Sequence, residues 1–152
     1  MFFTTVEEEI YYCKKYIEIE LIKHKNSFDI EWDVPPSFYN QQIIKMCIQP
    51  ILENALKHGI LALKDKRGKI TIQAYNTEHN LVIKITNNGV PLKRNELYKL
   101  REQMNSEVIP ETEHIGLLNI NQRIRIAYGN NYTIKISSNN EKTSFYLKFP
   151  FV

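Results

Sequence analysis

From Val6 to about Lys25 the apolar residues Val6, Ile10, Cys13, Ile17 and Leu21 recur at steps of three and four, the period of one helical stripe. The chain therefore opens on an amphipathic helix. Thr5 followed three residues later by Glu8 is a capping-box pattern, in which hydroxyl and carboxylate satisfy N–H groups left unpaired by the first turn, and it marks the helix start. The period then drops to two: Phe28, Ile30 and Trp32 alternate with Asp29, Glu31 and Asp33, as in a half-buried strand ended by Pro35-Pro36. Steps of three and four return from about Gln42, where Ile44, Cys47, Ile48, Ile51, Leu52 and Ala55 form a wide apolar face up to His58. Pro50 cannot donate to the carbonyl of Met46, so a kink or a late restart is expected near it. Gly59 is expected to end this helix in the left-handed conformation.

Period two resumes at Ile70-Ile72-Ala74 and Leu81-Ile83-Ile85, joined by the polar Asn76–Asn80, and the pair reads as a hairpin. A second hairpin pairs Tyr132-Ile134-Ile136 with Thr143-Phe145-Leu147-Phe149 across Ser138–Glu141. Between the hairpins, Leu117, Ile120, Ile124 and Ala127 form another helical stripe, stopped by Gly129. The stretch from Pro91 to Glu113 is polar, with Leu92, Leu97, Leu100 and Met104 as its main apolar anchors, and reads as a lid or a disordered loop. Strands grouped in hairpins and interrupted by helices predict an α+β layer sandwich.

Composition narrows the class. A chain of 152 residues with 43% hydrophobic and 24% charged residues has the size of one domain, and no apolar run approaches the ~20 residues that cross a bilayer. A net charge of +3, with lysines and arginines scattered among the acids, argues against a nucleic-acid partner. Cys13 and Cys47 have no second pair, which suggests neither a zinc site nor a disulfide framework and fits a reducing, cytoplasmic setting. Residues 1–6 lack the basic flank and long apolar core of a signal peptide and read as a cut into a longer protein or a short natural N-terminus.

Three segments carry candidate chemistry. On a helix Asn54, Lys57 and His58 share a face, and Glu53 can reach Lys57 four residues on. An amide, a carboxylate, an ammonium and an imidazole along one edge suit Mg²⁺ and phosphate. Ile85-Thr86-Asn87-Asn88-Gly89-Val90-Pro91 runs from a strand end into a turn and would present Asn87 at the rim of the sheet. In His114-Ile115-Gly116-Leu117-Leu118-Asn119 the glycine precedes a helix, whose N-terminal N–H groups and dipole favour anions. Only five glycines occur; Gly59, Gly68 and Gly129 are accounted for by helix ends or turns, while Gly89 and Gly116 fall in these loops.

In this order the segments Gln49–Gly59, Ile85–Pro91 and Ile115–Asn119 resemble the N, G1 and G2 boxes of the GHKL ATPases, the superfamily of gyrase, Hsp90 chaperones, histidine kinases and MutL. Gln49-Pro50, Glu53-Asn54-Ala55, Lys57-His58-Gly59, Ile115-Gly116-Leu117, Asn119, Arg123-Ile124 and Tyr128-Gly129 look like the LytS/YesM-type sensor histidine kinases, and Glu8–Glu20 is similar to the helix preceding their catalytic domain. The resemblance implies the two-layer Bergerat ATP-binding fold, a mixed sheet with helices on one face. It also implies residues 1–25 as a linker helix from a dimerisation region and 26–152 as the catalytic domain. ATP and Mg²⁺ are the implied cofactors: Asn54 coordinates the metal, Glu53 serves as base or orients water, and Lys57 and His58 lie near the phosphates. Asn87, where the family usually has an aspartate accepting the adenine amino group, would sit at the purine edge with Gly89 and Thr143. Ile115, Gly116, Leu117 and Leu118 would border the phosphates and lid.

Asn87 for aspartate removes a charge from the adenine acceptor, and charge-assisted hydrogen bonds are roughly twice as strong as neutral ones, so weaker and less adenine-selective binding is expected. Pro91, where the G1 box normally has another glycine, stiffens the entrance to the lid. The implied partners are the histidine-bearing dimerisation helices of a parent kinase, itself membrane-anchored, and through it a response regulator. This domain would contact neither membrane nor nucleic acid. No acceptor histidine is evident: His24 near the end of the first helix lacks the expected surroundings, His79 lies in a hairpin turn, and His58 and His114 belong to the boxes, so the domain should bind nucleotide without phosphorylating itself. An anti-sigma-type serine kinase and a degenerate, non-catalytic nucleotide-binding module are the competing readings.

Overall fold

The computed structural model describes residues 2–151; positions 1 and 152, the outer limits of the two expected segments, lie outside the described residues. A short strand β1 (Phe3–Thr5) leads into helix α1 (Val6–Lys23), followed by β2 (Phe28–Asp33) and β3 (Gln42–Ile44). Helix α2 is α-helical over Gln49–Asn54 and continues as a wider π-helical turn over Ala55–Ile60. The hairpin β4 (Gly68–Asn76) and β5 (Asn80–Asn87) precedes α3 (Arg94–Asn105) and α4 (Ile115–Tyr128), and β6 (Lys135–Ser138) with β7 (Thr143–Pro150) completes the fold.

Five strands form one mixed sheet in the order β2-β4-β5-β7-β6, in which β2 runs parallel to β4 and every other pair is antiparallel. The period-two patterns decide its faces. Ile70, Ile72 and Ala74 of β4, Leu81, Ile83 and Ile85 of β5, and Phe145, Leu147 and Phe149 of β7 point into the core. Thr71, Gln73, Lys84, Thr86 and Tyr146 occupy the alternate, more accessible positions. The buried stripes of α1, α2 and α4, with Leu100 and Met104 of α3, close over the apolar face in one core. This is the expected α+β two-layer sandwich.

Five local expectations are corrected. The segment from Gln42 is not helical: β3 pairs antiparallel with β1 in a separate two-stranded ribbon, and the chain turns at Met46, whose φ of 59° is left-handed, before α2 begins at Gln49. Ile43, Ile44, Cys47 and Ile48 are all fully buried, and apolar residues buried on every side carry no period that separates strand and turn from helix. The late restart at Pro50 does occur, with the proline in the first turn, where its missing N–H costs nothing. Gly59 does not end the helix in a left-handed conformation; it lies inside the π-turn, and Gly129, with φ of 101° at the end of α4, is the positive-φ glycine.

The stretch Pro91–Glu113 is not all loop, since α3 fills Arg94–Asn105 and turns Leu97, Leu100 and Met104 onto one side. Tyr132 lies in a 3₁₀ turn (Asn130–Tyr132) rather than in the strand, which starts at Lys135. At α1 the cap is half of a box: Glu8 N donates to Thr5 Oγ1 at 3.2 Å, while the Glu8 carboxylate accepts from Thr4 Oγ1 at 2.9 Å.

Candidate functional site

Asn54 sits where α2 changes from α to π geometry, and the wide turn is sealed by Leu61 N donating to Leu56 O at 2.9 Å, one residue further back than an α-helix allows. The turn carries Gly59 up against the loop that leaves β5. A Cβ on Gly89 would stand 2.3 to 2.7 Å from the backbone of Gly59, and one on Gly59 would stand 2.8 Å from Asn87 Oδ1. Two segments far apart in sequence thus meet through a pair of glycines, and Val90 N donating to Gly59 O at 3.1 Å ties them. That contact, rather than a helix end, is the reason for glycine at position 59.

Asn54, Ala55, His58 and Gly59 on one side, Asn87, Val90 and Leu92 on another, and Thr143 and Phe145 at the start of β7 line a single cleft. Asn87 ends β5 directly opposite Thr143 of β7, so sheet register alone brings these two together. Asn87 Oδ1 accepts from Gly89 N at 2.9 Å, fixing the loop from within. Thr143 Oγ1 bonds Ser138 Oγ at 2.7 Å, and Ser138 Oγ in turn accepts from Leu92 N at 3.3 Å, which holds the following segment down on the cleft.

At the mouth of the cleft, His114 precedes α4. Its Nδ1 lies 2.8 Å from Asn54 Nδ2, and its ring lies 4.9 Å from that of His58. Because an amide NH₂ only donates, the bonded Nδ1 carries no proton. Burial, then the neighbouring His58, hold the His114 imidazole below its ordinary pKa, and Glu113 opposes them. Among the described residues the buried Nε2 of His58 has no hydrogen-bond partner.

Among the other residues picked out by sequence, Glu53 and Lys57 are solvent-exposed beside Asn54, with Gln49 Nε2 donating to Glu53 Oε1 at 3.1 Å. Ile115 and Gly116 form the exposed first turn of α4, where Gly116 packs near Pro50. Leu117 and Leu118 are buried in the core and do not line the cleft. Ala55, Val90, Leu92 and Phe145 are lining residues that sequence reasoning missed; the alternation of β7 from Thr143 to Phe145 marks Phe145 as inward-facing, but nothing local marks Val90 or Leu92.

The donor set fits a nucleotide: an amide and an imidazole at the mouth, the N-terminal turn of α4 beside them, apolar walls and a buried amide inside. The space does not yet admit one. The cleft measures about 20 Å³, against the ~10–15 Å³ that one water needs. A roomier hollow of about 390 Å³ lies on the polar face of the sheet, lined by Glu31, Lys69, Thr71, Gln73, Lys84 and Lys142 among others. It has none of the apolar walls or close glycine contacts of the cleft.

The chain belongs to the family of histidine kinase-, DNA gyrase B- and HSP90-like ATPases, matching it over residues 39–152. It is 31% identical over 150 residues to the sensor protein kinase HptS of Staphylococcus aureus, a match covering 96% of this chain and 28% of that protein. The chain thus spans little more than a quarter of the curated relatives it matches. Among solved structures, the nucleotide-free catalytic domain of the histidine kinase ThkA superposes with a TM-score of 0.64 at 19% identity, covering 98% of this chain and 95% of that one. The Acinetobacter baumannii histidine kinase AdeS gives 0.67 at 15% identity, covering 98% and 66%. At these identities the superpositions establish the shared fold.

Proposed function

We propose that this chain is the catalytic, ATP-binding domain of a two-component sensor histidine kinase of the LytS/YesM type. The observation that carries the reading is the convergence of α2, the β5 end and the β7 start on one cleft with Asn54 at its mouth. The amide oxygen of Asn54 would hold Mg²⁺, Lys57 and His58 would face the phosphates, and the first turn of α4, with Ile115 and Gly116, would border them with its positive dipole end. Leu117 and Leu118 anchor that turn to the core, while Asn87, Gly89 and Thr143 frame the purine. Glu53, exposed on the same edge, would hold or accept a proton. When bound, Mg·ATP supplies the γ-phosphoryl group; the protein contributes position and fixed charge.

The phosphorylated histidine would lie on dimerisation helices of a longer, membrane-anchored parent, with a response regulator as the next acceptor and this domain on the cytoplasmic side. Among the described residues no helix is long and apolar enough to cross a membrane. Residues 1–25 would connect to those dimerisation helices. Calorimetry with Mg·ATP tests the core of the reading. Measurable binding by the native chain, weakened about tenfold or more in Asn54→Ala, is the expected result, since a hydrogen bond or ligation to a charged group contributes about 1.5–3 kcal/mol. No binding by the native chain would overturn it.

A further inference from the structure

Strand register sorts the side chains of β4, β5 and β7 onto two faces, and the face turned away from the core is rich in donors. Thr71 of β4 stands opposite Thr86 of β5, Thr86 stands opposite Ser144 of β7, and the hydroxyls of Thr86 and Ser144 share a hydrogen bond at 2.9 Å. Gln73 and Lys84 pair in the next row of the same face, and Lys69 lies two residues before Thr71. With Lys142, from the connection between β6 and β7, these residues of β4 and β5 line the hollow of about 390 Å³. That is the size of a small-molecule pocket, ~300–1,000 Å³, but such pockets are mostly apolar, and this one has walls of hydroxyl, amide and ammonium groups.

Its charge is unbalanced. Three ammonium groups, those of Lys69, Lys84 and Lys142, meet one carboxylate, that of Glu31 on β2, whose Oε2 lies 3.5 Å from Lys69 Nζ. Among the described residues Lys84 and Lys142 form no ion pair, and Lys84 Nζ lies instead 5.4 Å from the centre of the Tyr146 ring. Two positive charges are thus left uncompensated around a floor of hydroxyls.

We propose that this hollow binds a small polyvalent phosphate anion, at a site separate from the nucleotide cleft and on the other face of the sheet. Lys84 and Lys142 hold its charge as compact ammonium donors, Thr71, Thr86 and Gln73 add neutral donors, and Lys69, steadied by Glu31, forms the rim. The concave outline makes these donors converge on one dense anion. An acidic polypeptide would spread its charge past the rim, where Asp29 and Asp33 of β2, opposite Lys69 and Gln73, are exposed and repel it.

The test is a titration of the isotope-labelled native chain with sodium pyrophosphate, free of divalent cations and followed by amide chemical shifts. The expected result is saturable shifts at Thr71, Lys84 and Thr86. Their apparent Kd should rise with added NaCl and should rise roughly tenfold or more in the double variant Lys84→Gln/Lys142→Gln. Asn54→Ala, which alters only the cleft, should leave these shifts in place, and a polyglutamate peptide should bind the face more weakly than pyrophosphate. Shifts confined to the cleft around Asn54 and His58, no saturation on the sheet, an unchanged Kd in the double variant, or tighter binding of the peptide would each overturn the proposal. None of these outcomes bears on the nucleotide reading, which rests on the cleft.

Discussion

His114 shows how one side chain links the closed cleft to proton concentration. Its Nδ1 can accept from Asn54 only while unprotonated, and burial together with His58 lowers the folded-state pKa below the ordinary 6.5. Between the lowered value and 6.5 the unfolded chain binds more protons than the folded one, so stability falls as pH drops through that window and is unaffected above it. Urea unfolding of the native chain should therefore weaken from about pH 7 to about pH 5 relative to His114→Asn, which has no imidazole to charge. Parallel curves for the two proteins would contradict the linkage. The residue scale is also where sequence was most easily misread. Gly59 follows a helical stripe and invites the reading of a helix end, but its reason is a neighbour in space, Gly89, whose position depends on the whole sheet.

Among the elements, those with one exposed and one buried side were legible: α1, both hairpins and α4 all have the period of their burial. Those buried all round or anchored sparsely were not: the apolar run of β3 has no period of two, and the few anchors of α3 are spread through a polar stretch. The N-terminus of α2 depends on a residue that no local pattern singles out. Ile48, which precedes the helix, makes no side-chain cap bond. Instead the carboxylate of Glu9 on α1 accepts from Met46 N at 2.9 Å and Ile48 N at 3.2 Å. Burial pushes the Glu9 carboxyl above its ordinary pKa, although its hydrogen bonds to the backbone of residues 46–48 pull it down. Glu9→Ala removes both acceptors, and leaving a buried N–H unpaired costs about 1–3 kcal/mol, so a loss of that order in urea unfolding is expected. Amide exchange at Ile48 should rise in step, because the turn that starts α2 loses its brace. Unchanged protection at Ile48 would show that α2 is held by packing alone.

For the whole molecule, the family match over residues 39–152 and the sequence division at residue 25 both suggest that α1 can be removed, but its packing says otherwise. Val6, Ile10 and Ile17 on its inner side are almost wholly buried in the same core as α2, α4 and the sheet. Tyr11, Tyr12, Ile19 and Ile22 on its outer side remain exposed, free for the connection proposed above. Burying an aliphatic side chain contributes about 1.5–3 kcal/mol, so these three give roughly 5–9 kcal/mol, a large share of the ~5–15 kcal/mol by which domains are stable. Cutting after residue 25 would also strip β1 from β3, uncover Ile43 and Ile44, and remove Glu9 from the start of α2. A chain of residues 26–152 should therefore show no cooperative thermal transition, whereas the chain that keeps α1 should unfold in a single step. A shortened chain that melts cooperatively near the same temperature would mean that α1 is an appendage. If the transition is lost, α1 is part of the fold that builds the cleft.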